Sequence, residues 1–299
     1  MRVTRMMLDR QTLRSIQRNM DDLVESHRQL STGRRIGRFS DDVAGAAEQL
    51  RIERKQGSLD TYTRNLDMVE GVLSTASARL QNTSEVLTRS RELATQGATG
   101  TYSAQNMRGM AEEINGLLEQ VLSDAGTTYG GRYVFSGKGS DTAPYSAIRN
   151  ANGRVSEVRY EGASSSTRVP VAPGRTIRGN LVGPDLFERD ADLFGTLIDL
   201  RDAMEAGDEE AVRGLIDDLK TCQDALNTAT AELGSELNGV KTIRRRLEDL
   251  ASRNEEALAD VADTDVAAVS VEYQRQMAAL EAVMKIAGQA MPTSLAELM

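Results

Sequence analysis

The sequence predicts a mainly α fold: a long antiparallel helical rod or coiled coil built from both chain ends, with a small β-rich domain inserted in the middle. Three observations carry that expectation. Apolar residues recur at heptad spacing over two long stretches, glycine and proline concentrate between them, and the two chain ends carry opposite charge.

The heptads come first. Alternate steps of three and four from Leu59 meet Tyr62, Leu66, Val69, Leu73, Ala76, Leu80, Thr83 and Leu87. In the second half they meet Val212, Leu215, Leu219, Cys222, Leu226, Ala229 and Leu233, and resume after Glu236 at Val240, Ile243, Leu247 and Leu250. Such spacing keeps one stripe facing a partner helix. At 1.5 Å per residue, helices over 59–94 and 212–261 span ~54 and ~75 Å.

The middle differs in kind. Residues 126–183 hold ten of the 25 glycines, and four of the five prolines lie between Pro144 and Pro184. The β-prone pieces RYVFSG, VSEVRYEG and STRVPVAPGRTIRG alternate with turn signals. Residues 131–187 are therefore expected to form a small β-rich outer insertion.

Near the N-terminus a shorter stripe, Leu13, Ile16, Met20, Leu23, His27 and Leu30, stops at LSTGRRIGRFSDDVAGAAEQL, residues 30–50. Gly33 stands where a left-handed C-cap belongs. Arg34 and Arg35 fall beside the negative end of the first helix, and Ser40 or Asp41 can cap a second. The segment reads as a joint between a terminal arm and the main helices. The other end carries a matching stripe: Val266, Val269, Tyr273, Met277, Leu280, Met284, Ala287 and Met291. Residues 1–40 carry nine arginines against four acids, and residues 260–299 carry six acids against two bases. Opposite charges and an apolar seam on each suit the arms to pair with one another, with apolar surface left over for neighbouring subunits. The domain organisation expected is thus 1–40 and 260–299 as terminal coiled-coil assembly arms, 41–130 and 188–259 as a helical-bundle rod, and 131–187 as the insertion.

Composition narrows the function classes. Aromatics are 4%, Trp is absent and hydrophobic residues are 39%, which suits thin helical packing better than a thick enzyme core. A net charge of −9 argues against nucleic acid as the main partner. No segment approaches the ~18 apolar residues of a membrane span, and the start MRVTRMMLDRQTLRS lacks the apolar run of a Sec signal. One histidine, His27, leaves no multi-histidine metal site within a chain, and one cysteine, Cys222, leaves no internal disulfide. Both lie on the stripes and read as packed seam residues. In GRYVFSGKGS, five residues rather than four separate Gly131 from Gly137, and Gly139 stands where a phosphate loop needs Ser or Thr. The pairs Asp217–Asp218 and Glu255–Glu256 read as solvated helix faces. The expectation is a protein with no catalytic residues, no cofactor and no metal.

LSTGRRIGRFSDDVAGAAEQLRI resembles the signature of the flagellin superfamily, carried here by Leu30, Ser31, Gly33, Asp41, Asp42, Ala44 and Gly45. The ending DTDVAAVSVEYQRQMAALEAVMKIAGQAMPTSLAELM is similar to that family's C-terminal helix with its leucine-rich tail. Within the superfamily, MRVTRMM and TTYGGRYVFSG resemble the hook-associated branch. Phe39 departs from the small or polar residues usual in that linker. The resemblance covers residues 1–137 and 190–299. It implies a structural flagellar subunit, exported unfolded through the flagellar type III channel without a Sec signal and located outside the cell. Such a subunit joins copies of itself in a ring, the other hook-associated junction protein and flagellin, with an export chaperone on the C-terminal helix and neither nucleic acid nor membrane as partner. Two alternatives stand beside a hook–filament junction adaptor: flagellin itself, and a non-flagellar coiled-coil scaffold.

Overall fold

A computed structural model of the chain describes residues 5–100 and 102–290. The expectations resting on MRVTRMM, on the side chain of Ala287, on Met291 and on the leucine-rich tail lie wholly or partly outside the described residues. Helices dominate: α1 (Arg5–Thr32), α2 (Val43–Gly97), α3 (Ala104–Ala125), α4 (Pro184–Phe187), α5 (Leu193–Ala206), α6 (Glu209–Ala262) and α7 (Val266–Ala290). Between α3 and α4 run β1 (Thr128–Tyr129), β2 (Arg132–Tyr133), β3 (Tyr145–Arg149), β4 (Val155–Tyr160), β5 (Arg168–Ala172) and β6 (Arg175–Arg178). The fold is mainly α, with long helices from both ends and a small antiparallel-strand region, as the sequence predicts. It divides into two compact units, residues 59–249 and residues 1–58 with 250–299.

In the 59–249 unit the heptads of α2 and α6 supply the core. Leu59, Leu66, Val69, Leu73, Ala76, Leu80, Thr83 and Leu87 are buried, and so are Val212, Leu219, Cys222, Leu226, Ala229, Leu233, Val240, Ile243 and Leu247. Tyr62, Leu215 and Leu250 are half-buried instead. Polar contacts fix the two helices antiparallel: Arg213 donates to the Ala98 carbonyl at 3.0 Å, Gln223 to Ser84 Oγ at 2.6 Å, and Arg244 to Glu70 at 2.6 Å. Ser103 caps α3 by accepting from the Asn106 N–H at 3.3 Å, and Asp192 caps α5 by accepting from Gly195 at 3.0 Å. Cys222 is a packed core residue; burial pushes its thiol pKa up, and it donates to Thr196 Oγ1 at 3.7 Å.

The strands form three separate antiparallel hairpins, β1–β2, β3–β4 and β5–β6. The first begins at Thr128 and turns on Gly130–Gly131, both at positive φ, which the twist of a two-residue hairpin loop requires. Backbone bonds join the pieces: Leu181 N–H donates to the Val134 carbonyl at 3.1 Å, and Ala163 N–H to that of Ser136 at 2.9 Å. Beneath them Phe135, Tyr145, Phe187 and Phe194 form an aromatic cluster with ring centroids 4.8–6.0 Å apart, edge-to-face at Phe135–Phe187 and Tyr145–Phe187 and tilted at the two Phe194 contacts. The β3–β4 hairpin is held to helices by ion pairs of Arg149 with Glu119 and of Arg154 with Glu112 and Glu205.

Its deepest anchor is a charge. Arg201 on α5 is among the largest fully buried side chains, at 2% exposure. It donates to the Val155 carbonyl on β4 at 2.6 Å, to Asn115 Oδ1 on α3 at 3.3 Å and to Asp202 Oδ1 at 2.7 Å. One guanidinium thereby satisfies groups on three elements, reached from separate nitrogens of a planar five-donor fork where an ammonium would have a single nitrogen.

Candidate assembly interface

In the other unit α1 and α7 pack antiparallel. Ser26 Oγ donates to Gln276 Oε1 at 2.8 Å, and the His27 and Tyr273 rings lie 6.2 Å apart. The half-buried or buried positions of α1 include Ile16, Asn19, Leu23, Ser26 and Leu30; those of α7 include Val269, Tyr273, Gln276, Leu280 and Val283. Both sets step by three and four, so the seam has heptad geometry with polar members.

The apolar stripe read from the α1 sequence straddles that seam. Ile16, Leu23 and Leu30 turn toward it, whereas Leu13 (58% exposed) and Met20 (52%) turn outward. His27, expected as a packed seam residue, is exposed. The reason is that Asn19 and Ser26 take the alternate positions, leaving Leu13, Met20 and His27, seven apart, on the flank. On α7, Val269, Tyr273 and Leu280 are half-buried, while Val266 (54%), Met277 (37%) and Met284 (59%) are exposed.

Among the described residues no apolar side chain of α1 or α7 is fully buried. Pairing within one chain leaves much apolar surface in water, at roughly 25 cal/mol per Å². Among the described residues 14 large hydrophobic residues are exposed, and ten of them fall within residues 1–58 and 250–299.

The joint is built from its own charges. Gly33 follows the last residue of α1 at φ +68° and its N–H donates to the Gln29 carbonyl at 2.8 Å, a left-handed cap as expected. Leu30 is half-buried and Ser31 is exposed on the last turn of α1. Asp42, not Ser40 or Asp41, caps α2: its Oδ1 accepts from the Gly45 N–H at 2.9 Å. Asp41 instead folds the linker, accepting from the Gly37 and Arg38 N–H groups at 3.1 and 2.8 Å and from Arg28 at 2.9 Å. Gly45 lets the linker pack closely, since a Cβ there would lie 2.5 Å from Ile36 Cδ1 and displace that side chain. Nor does Arg35 serve the end of α1 as expected. It donates to the Val261 carbonyl near the end of α6 at 2.8 Å and pairs with Asp42 at 3.1 Å. Backbone bonds from Arg35 to Ala262 (2.8 Å) and from Thr264 to Gly33 (3.0 Å) close the α1–α2 and α6–α7 joints against each other.

Two outcomes test this joint. Nothing lies within 4 Å of where a Gly33 Cβ would sit, so Gly33→Val introduces backbone strain alone, about 1–2 kcal/mol. Circular dichroism should show unchanged helix and melting a modest loss confined to residues 1–58 and 250–299. The Arg38 N–H holds the Asp41 carboxyl below its ordinary 3.8, and the Gly45 N–H, with Arg35, does the same for Asp42. Depressed carboxylates stabilise above the ordinary value and lose that effect as pH falls through the folded one. Thermal stability of the joint should therefore hold from pH 7 to 5 and fall only below 3.8; a loss centred near pH 6 would contradict the assignment.

Residues 3–140 match the family model of the bacterial flagellin N-terminal helical region. The chain is 27% identical to flagellar hook-associated protein 3 of Escherichia coli (strain K12) and 25% identical to that of Salmonella typhimurium, with 95% of each chain covered in both cases. Similarity to Listeria monocytogenes flagellin, at 29% identity, covers 43% of this chain and 45% of that one. Among solved structures, a flagellar hook-associated protein from Vibrio parahaemolyticus superposes with a TM-score of 0.65 at 21% identity, covering 75% of this chain and all of that one. The flagellin-superfamily resemblance, closest in kind to the hook-associated branch, holds. Among the described residues no group of three or more His, Cys, Asp or Glu is placed to hold a metal, and no helix is long and apolar enough to cross a membrane.

Proposed function

We infer that the chain is a structural subunit of the bacterial flagellum acting as hook–filament junction adaptor. The observation that carries this is coverage: likeness to hook-associated protein 3 runs over 95% of the chain at 27% and 25% identity, whereas likeness to proteins named flagellin covers 39–58% of it; a flagellar filament core protein of Treponema maltophilum is similar over 91%, at the lower identity of 24%. Its assembly elements are α1 and α7, through Leu13, Met20 and His27 on one flank and Val266, Met277 and Met284 on the other, with Ile16, Leu23, Leu30, Val269, Tyr273 and Leu280 holding the pair together. The residues 1–40 and 260–299 are the assembly arms, 41–130 with 188–259 the supporting bundle, and 131–187 the outer insertion. Copies of the chain form a ring between the other hook-associated junction protein and flagellin, after type III export with a chaperone on the C-terminal helix. The work is mechanical, with no catalysis. Cells lacking the chain should shed flagellin into the medium and carry bare hooks. Filaments still attached to their hooks in such cells would refute the adaptor.

A further inference from the structure

The joint carries a groove of about 450 Å³ whose lining combines the apolar Ile36, Phe39, Ala46 and Leu50 with polar and charged groups, Arg34 and Arg38 among them. Phe39 is 62% exposed and Leu50 40%. The Arg34 and Arg38 guanidinium groups are exposed and form no ion pair among the described residues, unlike Arg28 and Arg35 beside them. A lining that joins apolar side chains to two unpaired cations fits an apolar helix face that carries a carboxylate.

The same unit presents such a face. On α7, Met277, Glu281 and Met284 stand at i, i+4 and i+7, one above another on a single side. All three are exposed, and Glu281 forms no ion pair among the described residues, even with Lys285 one turn on. We propose that the Met277–Glu281–Met284 face of one copy docks in the joint groove of the next copy, its methionines on Phe39 and Leu50 and its carboxylate between Arg34 and Arg38. The contact deepens the adaptor reading and rests on it: it names the surfaces by which copies join.

Within one chain Met284 cannot reach the groove. Residues 262 and 264 are bonded to the joint, and α7 runs from there back along α1. Met284 lies 20 residues beyond Thr264, about 30 Å along a helix. Groove and face are different patches, so the contact is heterologous and propagates from copy to copy, closing into a ring where the rotation allows. Flexible methionines suit a face that has to settle on a neighbour during assembly.

The test uses the full chain in assembled flagella. F39C/M284C places a thiol on each surface; the native thiol, Cys222, is buried. A disulfide needs Cα atoms within about 7 Å, so oxidation can join these positions only between copies. Oxidised flagella should yield covalent multimers of the chain from the double variant and none from either single variant. Monomers alone from the double variant would overturn the contact. Should the thiol variants not assemble, charge reversal decides: R34E/R38E and E281R each lose filament attachment, and combining them recovers it. No recovery would overturn the contact equally. Wild-type chain located at the hook end, together with either negative result, removes this contact alone, whereas wild-type chain absent from there removes the adaptor reading itself.

Discussion

Arg201→Ala is expected to destabilise the 59–249 unit by about 3–5 kcal/mol, the range for breaking a buried charged network and leaving a cavity. The guanidinium is 2% exposed and bonds the Val155 carbonyl, Asn115 and Asp202. Its loss leaves the buried Val155 carbonyl without its donor and frees β4 from α5. For a unit of this size each kcal/mol moves the melting temperature by roughly 2–4 °C, so the midpoint should fall by on the order of 10 °C. The conservative Arg201→Lys should recover little, because an ammonium has a single nitrogen for contacts that the fork makes from separate ones. A fall under about 3 °C for the alanine variant would show that the hairpin is held by its exposed ion pairs at Arg149 and Arg154 instead, contacts of a kind worth about 0–1 kcal/mol each.

The second large effect is on assembly. Deleting residues 261–299 removes α7 and with it Gln276, Tyr273 and the acceptor for Arg35 at Val261. The heptads from Leu59 to Leu87 and from Val212 to Leu247 stay buried in their own unit, so its melting should change by no more than about 0.5 kcal/mol, as for changes remote from a core. The α1 helix, which has no fully buried apolar residue even with its partner present, should fray, since an unpartnered helix is marginal in water. The truncated chain should be soluble and folded over 59–249, yet absent from flagella, with filament subunits released into the medium. Normal filaments in cells making only the truncated chain would mean that α7 is not the assembly element.

How much of this was legible in the residues follows from where burial is apolar. Between Leu59 and Leu87 each seam position but Tyr62 and Thr83 is aliphatic, and the period-3.5 pattern locates the core residue by residue. In α1 the seam alternates aliphatic with Asn19 and Ser26, so hydrophobic spacing slides onto Leu13, Met20 and His27 and mixes the inner with the outer face. At the α2 start two aspartates stand side by side, and only geometry shows that Asp42 caps the helix while Asp41 folds the turn before it. Gly33 was readable because a left-handed helix stop favours glycine so strongly. Arg201 was not: within LIDLRDAMEA it sits between an aliphatic and an acid, the pattern of a solvated face, and only the hairpin folded over it makes it a core residue. The short strand YSAIR escaped for a similar reason, its pairing with VSEVRY being fixed by the turn at residues 150–154 rather than by alternation.

The central claim, that this chain joins hook to filament and does not build the filament, is tested most directly by immunogold labelling of intact flagella with antibody raised against residues 131–187. The account predicts gold at one position on each flagellum, where the hook ends and the filament begins. Gold distributed along the filament would contradict it and make the chain a flagellin.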